Sequence, residues 1–388
     1  MKLAGWSLHF YRLPYRRAVT WAYAAESSSD YALLKLTADD GTVGIAEGVV
    51  KPARTGFSPR SLAATLEDVM LPRLRDVELS DAAAVRRAFD WVDGNRSPRA
   101  LIDNACWSMR SAAAGKPLWQ TWGGKAQVEL LWIVTRQKPA LMAAEAAGMC
   151  RRYGFRHLKL KGGQGRDIDL RVIAEVRAAV GPDVEFSMDA NRHYPREGID
   201  GYIRAIADAG VTVVEDPCPL TADREFEKLQ RESAVPLLVD FPCTSREDAE
   251  LFLDRGAHAL MIKPGRTGLS EMLEIDAHCA KQGCAVSLGM YYESALGTAL
   301  ALQGAAALSS RLILPPEHSF FLMLTEQVTH SLPAIKQGRL KLSEEPDLER
   351  LVDWKAVKRF SAGAAFSGSR SGRRRRSALP ESRRRARA

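Results

Sequence analysis

No run of 18 or more apolar residues occurs anywhere in the 388-residue chain, which argues against a membrane-spanning helix. The opening stretch, MKLAGWSLHFYRLPYRR, lacks the unbroken apolar core of a secretory leader, being interrupted by polar residues and a proline. The six cysteines (Cys106, Cys150, Cys218, Cys243, Cys279 and Cys284) include no CxxC pair and follow no regular framework. In a chain of this size that pattern reads as reduced thiols, so a cytoplasmic protein is the expectation. A hydrophobic content of 46% is enough to bury a large core, and the length suits two domains.

The body of the chain also lacks an excess of positive charge. From Arg370 to Ala388 there are nine arginines and one glutamate, a net +8, which is the whole of the chain's formal +8. Residues 361–388 are therefore expected to form a disordered basic tail, low in apolar content. Such a tail can touch RNA or anionic lipid non-specifically, but the neutral body gives no reason to expect a specific nucleic-acid partner.

Two strand-like stretches come first, AGWSLHFYRL and YALLKLTADDGTVGIAEG, the second with a hairpin signal at Asp40-Gly41. Helical patterning follows over about 61–91 and 99–114, where Gly115 and Pro117 stop it. Residues 1–126 thus read as a small α+β domain. After about Gln127 short β-rich runs alternate with amphipathic stretches: HLKLK, EFSMDAN, TVVEDP, LLVDF, ALMIKP and CAVSLGM, separated by segments such as DLRVIAEVRAAVG. This alternation predicts parallel βαβ units over 127–330, an α/β barrel in preference to a doubly wound sheet.

Ionisable residues end these runs in register. Lys159 and Lys161 close the first, Asp189 and Asn191 the second, and Glu215 and Asp216 the third. Asp240 closes the fourth and Lys263 the fifth, and the steps from Lys161 to Asp189, Glu215, Asp240 and Lys263 are 28, 26, 25 and 23 residues, one βα unit each. Residues at successive strand C-termini converge on one face of a barrel, where catalytic groups of this architecture sit. One such residue would be an ordinary solvated strand end. Five in register are costly beside apolar strands unless paired or ligated.

Asp189, Glu215 and Asp240 supply three hard oxygen ligands, suited to magnesium, with manganese as the alternative. A carboxylate substrate on that ion would gain stabilisation as its α-carbon lost a proton and an enediolate formed. Both lysines of the KxK run face the same side of their strand, so one ammonium lowers the proton affinity of the other. Lys263, on the opposite wall, would serve the other face of the same carbon.

Together these residues resemble the enolase superfamily, and within it the mandelate racemase/muconate lactonizing enzyme family, muconate-lactonizing subgroup. The likeness runs from about residue 1 to 360. DDGTVGIAEG is similar to the family's capping hairpin, and ALIDNACWSMRSAAAGKPLWQTWGG to its capping helix and turn. HLKLK, SMDAN, VVEDP, LLVD and MIKPGRTGL are similar to its catalytic and ligand motifs, in order. The resemblance implies a modified (β/α)7β TIM-like barrel with an α+β N-terminal capping domain, a C-terminal segment (331–360) returning to that domain, and a homo-oligomer. Enzymes of this kind pair lysine or histidine bases with magnesium. It further implies Lys161 as the main acid/base, Lys159 as its charge-tuning neighbour that also contacts the substrate carboxylate, and Lys263 as the partner on the opposite face. Asp189, Glu215 and Asp240 would hold the metal with Asn191 in support, and Glu293 and Glu317 would be polar residues at the rim.

Departures from the family pattern bear on substrate. Asp240 is followed by Phe241 where a glutamate is frequent, and the Asp-x-Asp pair of dipeptide epimerases is absent from LILPPEHSFF, which disfavours a dipeptide. His193 stands where a glycine is usual, and PDLE replaces the C-terminal PGLG. Substrate choice is expected to lie with the capping loops, about 13–28 and 49–57, where Tyr15, Arg16, Arg17, Trp21 and Arg54 either read an anionic or aromatic substrate or pack the domain interface. The expected activity is racemisation, epimerisation or cycloisomerisation of a small carboxylate. A dehydratase using the same site is the enzymatic alternative, and a non-catalytic metal-binding barrel with an RNA-binding tail is the alternative from another class.

Overall fold

The computed structural model describes residues 1–21, 24–92 and 94–369, together with the backbone of Arg375 and Arg376. Three long antiparallel strands open the chain, Leu3–Thr20, Ala25–Ala38 and Val43–Val50. The Asp40-Gly41 turn joins the second to the third, with Gly41 at φ 85° and its N–H donating to the Ala38 carbonyl at 3.0 Å. Period-two alternation divides the side chains of this sheet between two cores. Leu8, Phe10, Leu34 and Leu36 pack with Leu101, Ile102, Cys106 and Met109 of helix Arg96–Ala114. Tyr11, Leu13, Tyr31 and Leu33 face the other way and join the barrel core. Gly44 lets strand and helix touch: a Cβ there would lie 2.2 Å from the Ala105 carbonyl oxygen.

Two expectations for this domain are corrected. The helical pattern over 61–91 is not one helix but a succession: an α-helix at Pro59–Ala64, a π turn at Thr65–Met70, a 3-10 turn at Leu71–Leu74 and a helix at Ala82–Arg87. Pro72 has no N–H to continue the ladder, and Asp81 restarts it by accepting the Ala84 N–H at 3.0 Å. The tail, expected to be disordered from 361 onward, contributes a strand, Phe366–Ser369, paired antiparallel with Gly5–Leu8. Its anchor is apolar: Phe366 meets Phe10 edge-on with centroids 6.2 Å apart. The arginine-rich remainder lies outside the described residues, apart from the backbone of Arg375 and Arg376, which pairs with this strand.

The second unit is a curled sheet of seven parallel strands: Trp132–Val134, His157–Lys161, Glu185–Asp189, Val211–Glu215, Leu237–Val239, Ala259–Ile262 and Ala285–Leu288. Helices Pro139–Tyr153, Arg166–Val180, Ile199–Asp208, Arg224–Glu232, Arg246–Leu253 and Pro264–Gln282 connect them in order. The first strand, at three residues, is too short to reveal a period, and the sequence reading passed over it. An eighth stave closes the barrel. The Val286 N–H donates to the Arg311 carbonyl (2.9 Å) and the Glu317 N–H to the Leu288 carbonyl (3.0 Å) on one side. On the other side the Leu131 N–H donates to the Pro316 carbonyl at 3.2 Å. Farther on, the Arg12 N–H donates to the Phe360 carbonyl at 3.0 Å and Lys35 pairs with Glu349, so the 331–360 segment returns to the capping sheet.

Candidate active site

Strand register brings the ionisable ends together. Lys161 is paired with Asp189, and Asp189 with Glu215, across three neighbouring strands. All of Lys159, Lys161, Asp189, Asn191, Glu215, Asp240 and Lys263 are buried. Lys161 follows from the second barrel strand and Lys263 from the sixth, four staves apart in eight, so they face each other across the mouth.

Each carboxylate meets a cation. The Lys161 ammonium donates to Asp189, and the Lys159 ammonium donates to both Glu215 and Glu317. Lys263 Nζ donates to Asp240 Oδ2 at 2.6 Å, and Arg266 Nη1 to Asp240 Oδ1 at 3.1 Å. Asn191 donates from its backbone N–H (2.8 Å) and its side-chain amide (2.9 Å) to the two oxygens of Asp189. Burial alone would strip the charge from Lys159 and Lys263. Glu215 and Glu317 more than offset this for Lys159, and Asp240 does so for Lys263, so both ammonium groups are held.

Glu215 goes the other way: burial, then repulsion from Asp189 and Asp240, drives its carboxyl well above the usual range. Three hard-oxygen donors that repel one another inside a buried mouth fit a divalent cation, whose charge would relieve that repulsion. Among the described residues no three His, Cys, Asp or Glu side chains are gathered at metal-holding distance; the oxygens an ion would take are those now facing lysine and arginine. Asp216 braces the arrangement from below. At φ 38° its carboxylate turns under the next strand end and accepts the N–H groups of Asp240 (3.2 Å) and Phe241 (2.7 Å).

Glu317 and Glu293 do not sit at the rim, as expected, but inside. Glu317 belongs to the charge cluster through Lys159, and its second oxygen accepts the Met290 N–H at 3.2 Å. Glu293 accepts the Tyr291 N–H at 2.8 Å, and burial pushes its carboxyl up to about 7. His193 is exposed and edge-on to Tyr194, a surface histidine.

Two groups were missed. Arg266 stands three residues after Lys263 in the quoted MIKPGRTGL run, one helical turn on, which was a usable signal. Glu47 ends the capping hairpin motif, and its carboxylate accepts the Tyr11 hydroxyl and both the hydroxyl and N–H of Ser294, the latter at 2.8 Å. It ties the capping sheet to the loop carrying Glu293. Nothing in a linear reading joins positions 47 and 294.

The capping loops split between the two roles expected of them. Trp21 and Arg54 line a cleft of about 340 Å³ with Lys51, Asn191, Arg192, Phe241 and Tyr292. Tyr15 instead packs against Phe320, Arg16 donates to the Leu322 carbonyl, and Arg17 pairs with Glu145. Lys51 pairs with Glu26 at 2.5 Å and lies 4.0 Å from the Trp21 ring centroid and 4.3 Å from that of Tyr292; burial pulls its ammonium down to about 8.

The family description "Enolase C-terminal domain-like" matches residues 141–348, and "Mandelate racemase / muconate lactonizing enzyme, N-terminal domain" matches residues 10–123. The L-Ala-D/L-Glu epimerase of Bacillus subtilis is 29% identical over 303 residues, 76% of this chain and 81% of that protein. The N-succinylamino acid racemase of Thermus thermophilus is 26% identical over 306 residues, 77% of this chain and 81% of that one. In fold, the muconate lactonizing enzyme of Mucobacterium smegmatis, solved with muconolactone, superposes with a TM-score of 0.88 at 22% identity, covering 94% of this chain and all of that one. These relatives are isomerases by name. Matched in both parts and in the same order, the chain belongs to the mandelate racemase/muconate lactonizing enzyme family of the enolase superfamily, and it is an enzyme of the isomerase kind.

Proposed function

We propose that this enzyme removes the α-proton of a small carboxylate substrate and returns a proton to give racemisation, epimerisation or cycloisomerisation through an enediolate. The observation that carries the reading is the placement of Lys161 and Lys263 on opposite sides of one buried carboxylate cluster. Asp189, Glu215 and Asp240 would hold a magnesium ion, with manganese as the alternative; when bound, it supplies Lewis-acid stabilisation of negative charge on the substrate carboxylate. Lys161 takes or gives the proton on one face and Lys263 on the other. Lys159, its ammonium pinned by two carboxylates, is a fixed positive charge beside the substrate carboxylate and not itself a base. Asn191 and Arg266 orient Asp189 and Asp240. The capping loops cover the mouth and exclude water, which strengthens each of these interactions.

The named relatives differ in substrate, so they support the reaction class and leave the substrate to the cleft. A dehydratase could use the same proton abstraction. Two opposed lysines favour a two-face isomerisation, but a syn or anti elimination could use them too.

The test is solvent deuterium exchange with magnesium present, against amino-acid derivatives, hydroxyproline-like acids, muconate and sugar acids. Exchange at the α-carbon of at least one acid, together with its isomer as product, is expected. A 2-keto-3-deoxy acid, the tautomer of the enol left when a β-hydroxyl departs from a sugar acid, as the sole product would establish the dehydratase instead, and no exchange with any carboxylate would end the proposal. Asp189→Asn should weaken manganese binding by about 10–100-fold in an electron-paramagnetic-resonance titration, and equal affinity would remove Asp189 from the ligand set.

A further inference from the structure

The cleft above the charge cluster holds more positive charge than it neutralises. Lys51, Arg54 and Arg192 line it, and Glu26 is the one carboxylate among its lining residues. That carboxylate is engaged by Lys51. The two guanidinium groups lie against the ring of Phe241, Arg192 at 3.1 Å from the centroid and Arg54 at 5.4 Å. Among the described residues no carboxylate or carbonyl accepts a hydrogen bond from either guanidinium, and Nε of Arg192 is buried without a partner. A half-buried guanidinium keeps five donors in a fixed fork, and leaving them unmet inside a walled cleft is costly. Two such groups beside one aromatic ring, both lining the same cleft, make a receptor for a planar anion.

The position of Phe241 sharpens this reading. It immediately follows Asp240, where a second carboxylate would have neutralised one of these arginines; the phenyl ring orients both and quenches neither. Trp21 and Tyr292, with ring centroids 4.3 Å apart, form an apolar wall beside them. Such a wall suits a short carbon chain between two polar ends.

Building on the reaction proposed above, we infer that the substrate carries a second, distal carboxylate, received by Arg54 and Arg192 in this cleft while its first carboxylate occupies the reaction centre. Lys51, paired with Glu26 and lying over the two aromatic rings, adds positive charge to the same cleft.

The experiment compares diacids with their own monoamides: N-succinyl-phenylalanine and N-glutaryl-alanine, each against the compound whose distal carboxylate is a carboxamide. In the wild-type enzyme with magnesium, kcat/KM for α-proton exchange should favour the diacid by at least about tenfold, as expected for a charge-assisted bidentate contact. R54M and R192M should each lower the diacid value by about 10–100-fold while the monoamide value changes far less. R54K and R192K should recover part of the loss, because charge returns without the fork. Equal rates for diacid and monoamide in the wild type, or a preference that survives in the double variant, would overturn the inference while leaving the proposed reaction intact. Calorimetric titration with the same diacids reads the cleft independently of turnover. Affinity that drops in R54M and R192M supports the anion subsite, and unchanged affinity refutes it. Absence of exchange with every acid, diacid or monoacid, would instead count against the reaction itself.

Discussion

A lysine that acts as a base must give up its charge, and the buried mouth pushes it both ways. Burial disfavours the ammonium, while carboxylates in contact restore it, as Lys159 and Lys263 show. What distinguishes Lys161 from Lys263 is the face each serves. For a racemase or epimerase, Lys161→Ala and Lys263→Ala should each abolish net isomerisation, yet each should still exchange the α-proton of the enantiomer its remaining lysine reaches; for a cycloisomerase one lysine would dominate and the other variant would keep much of its turnover. Loss of acid/base help costs about 10²–10⁴-fold, so this exchange should be slow but visible by deuterium wash-in. If both variants exchanged both enantiomers equally, face-specific bases would be excluded. Glu293 supports a prediction on pH. Its folded pKa of about 7 lies above the 4.5 of a free glutamate, chiefly through burial. Between those values the folded chain keeps a proton that the unfolded chain has released, so this group's contribution to stability falls as pH rises from about 4.5 to about 7 and is flat above. Glu293→Gln should remove that part of the slope, on the order of 3 kcal/mol between pH 4.5 and 8 in urea denaturation. Parallel wild-type and variant curves would show that Glu293 ionises normally.

Helix Arg96–Ala114 was legible as a helix, but its purpose emerges only from what it touches. Asp103 accepts the N–H (2.8 Å) and hydroxyl (2.5 Å) of Ser270, and Asn104 bridges the Pro264 carbonyl and the Leu269 N–H, both at 3.0 Å. These four contacts clamp the turn that follows Lys263, where helix Pro264–Gln282 is broken at Gly268 by a φ of 77° and ψ of 167°. A Cβ at Gly268 would stand 2.6 Å from Asp103 Oδ2, in a backbone region that other residues rarely adopt. Gly268→Ala should therefore destabilise the protein by about 1–3 kcal/mol in chemical denaturation and lower kcat more than it raises KM, since it shifts Lys263 and leaves the cleft alone. A wild-type kcat would show that the clamp has no part in placing that lysine.

Seen whole, the molecule is two cores sewn together by the chain's own return, and the C-terminal end is part of the seam. Ending the chain after Arg376 keeps the Phe366–Ser369 strand and every residue of the site, so stability and turnover should match the full-length enzyme. Ending it after Ser361 removes Phe366 from Phe10 and exposes the edge of the first strand, which should cost about 1–2 kcal/mol and lower Tm. A shorter chain as stable as the full one would return this strand to the status of an appendage. Among the described residues no helix is long and apolar enough to cross a membrane.

The repeating βα architecture and the identity of the ionisable strand ends were legible along the chain, because periodicity and strand-end position are local properties that each segment carries with it. The sequence also held Arg266, one turn from Lys263, though that signal went unread. Which residues meet across the two domains became visible only in the folded chain. Glu47 finds Ser294, Asp103 finds Ser270, and Arg54 and Arg192 find one phenyl ring, over separations that no pattern along the chain encodes. Folding also moved Glu317 and Glu293 from an expected rim into the interior: closure by the 311–317 stave turns Glu317 inward, and Glu47 of the capping sheet holds Ser294, next to Glu293. The three-residue first strand and the Phe366 strand were hidden for the same reason: neither is long enough to show a period, and each is held by partners supplied from elsewhere in the fold.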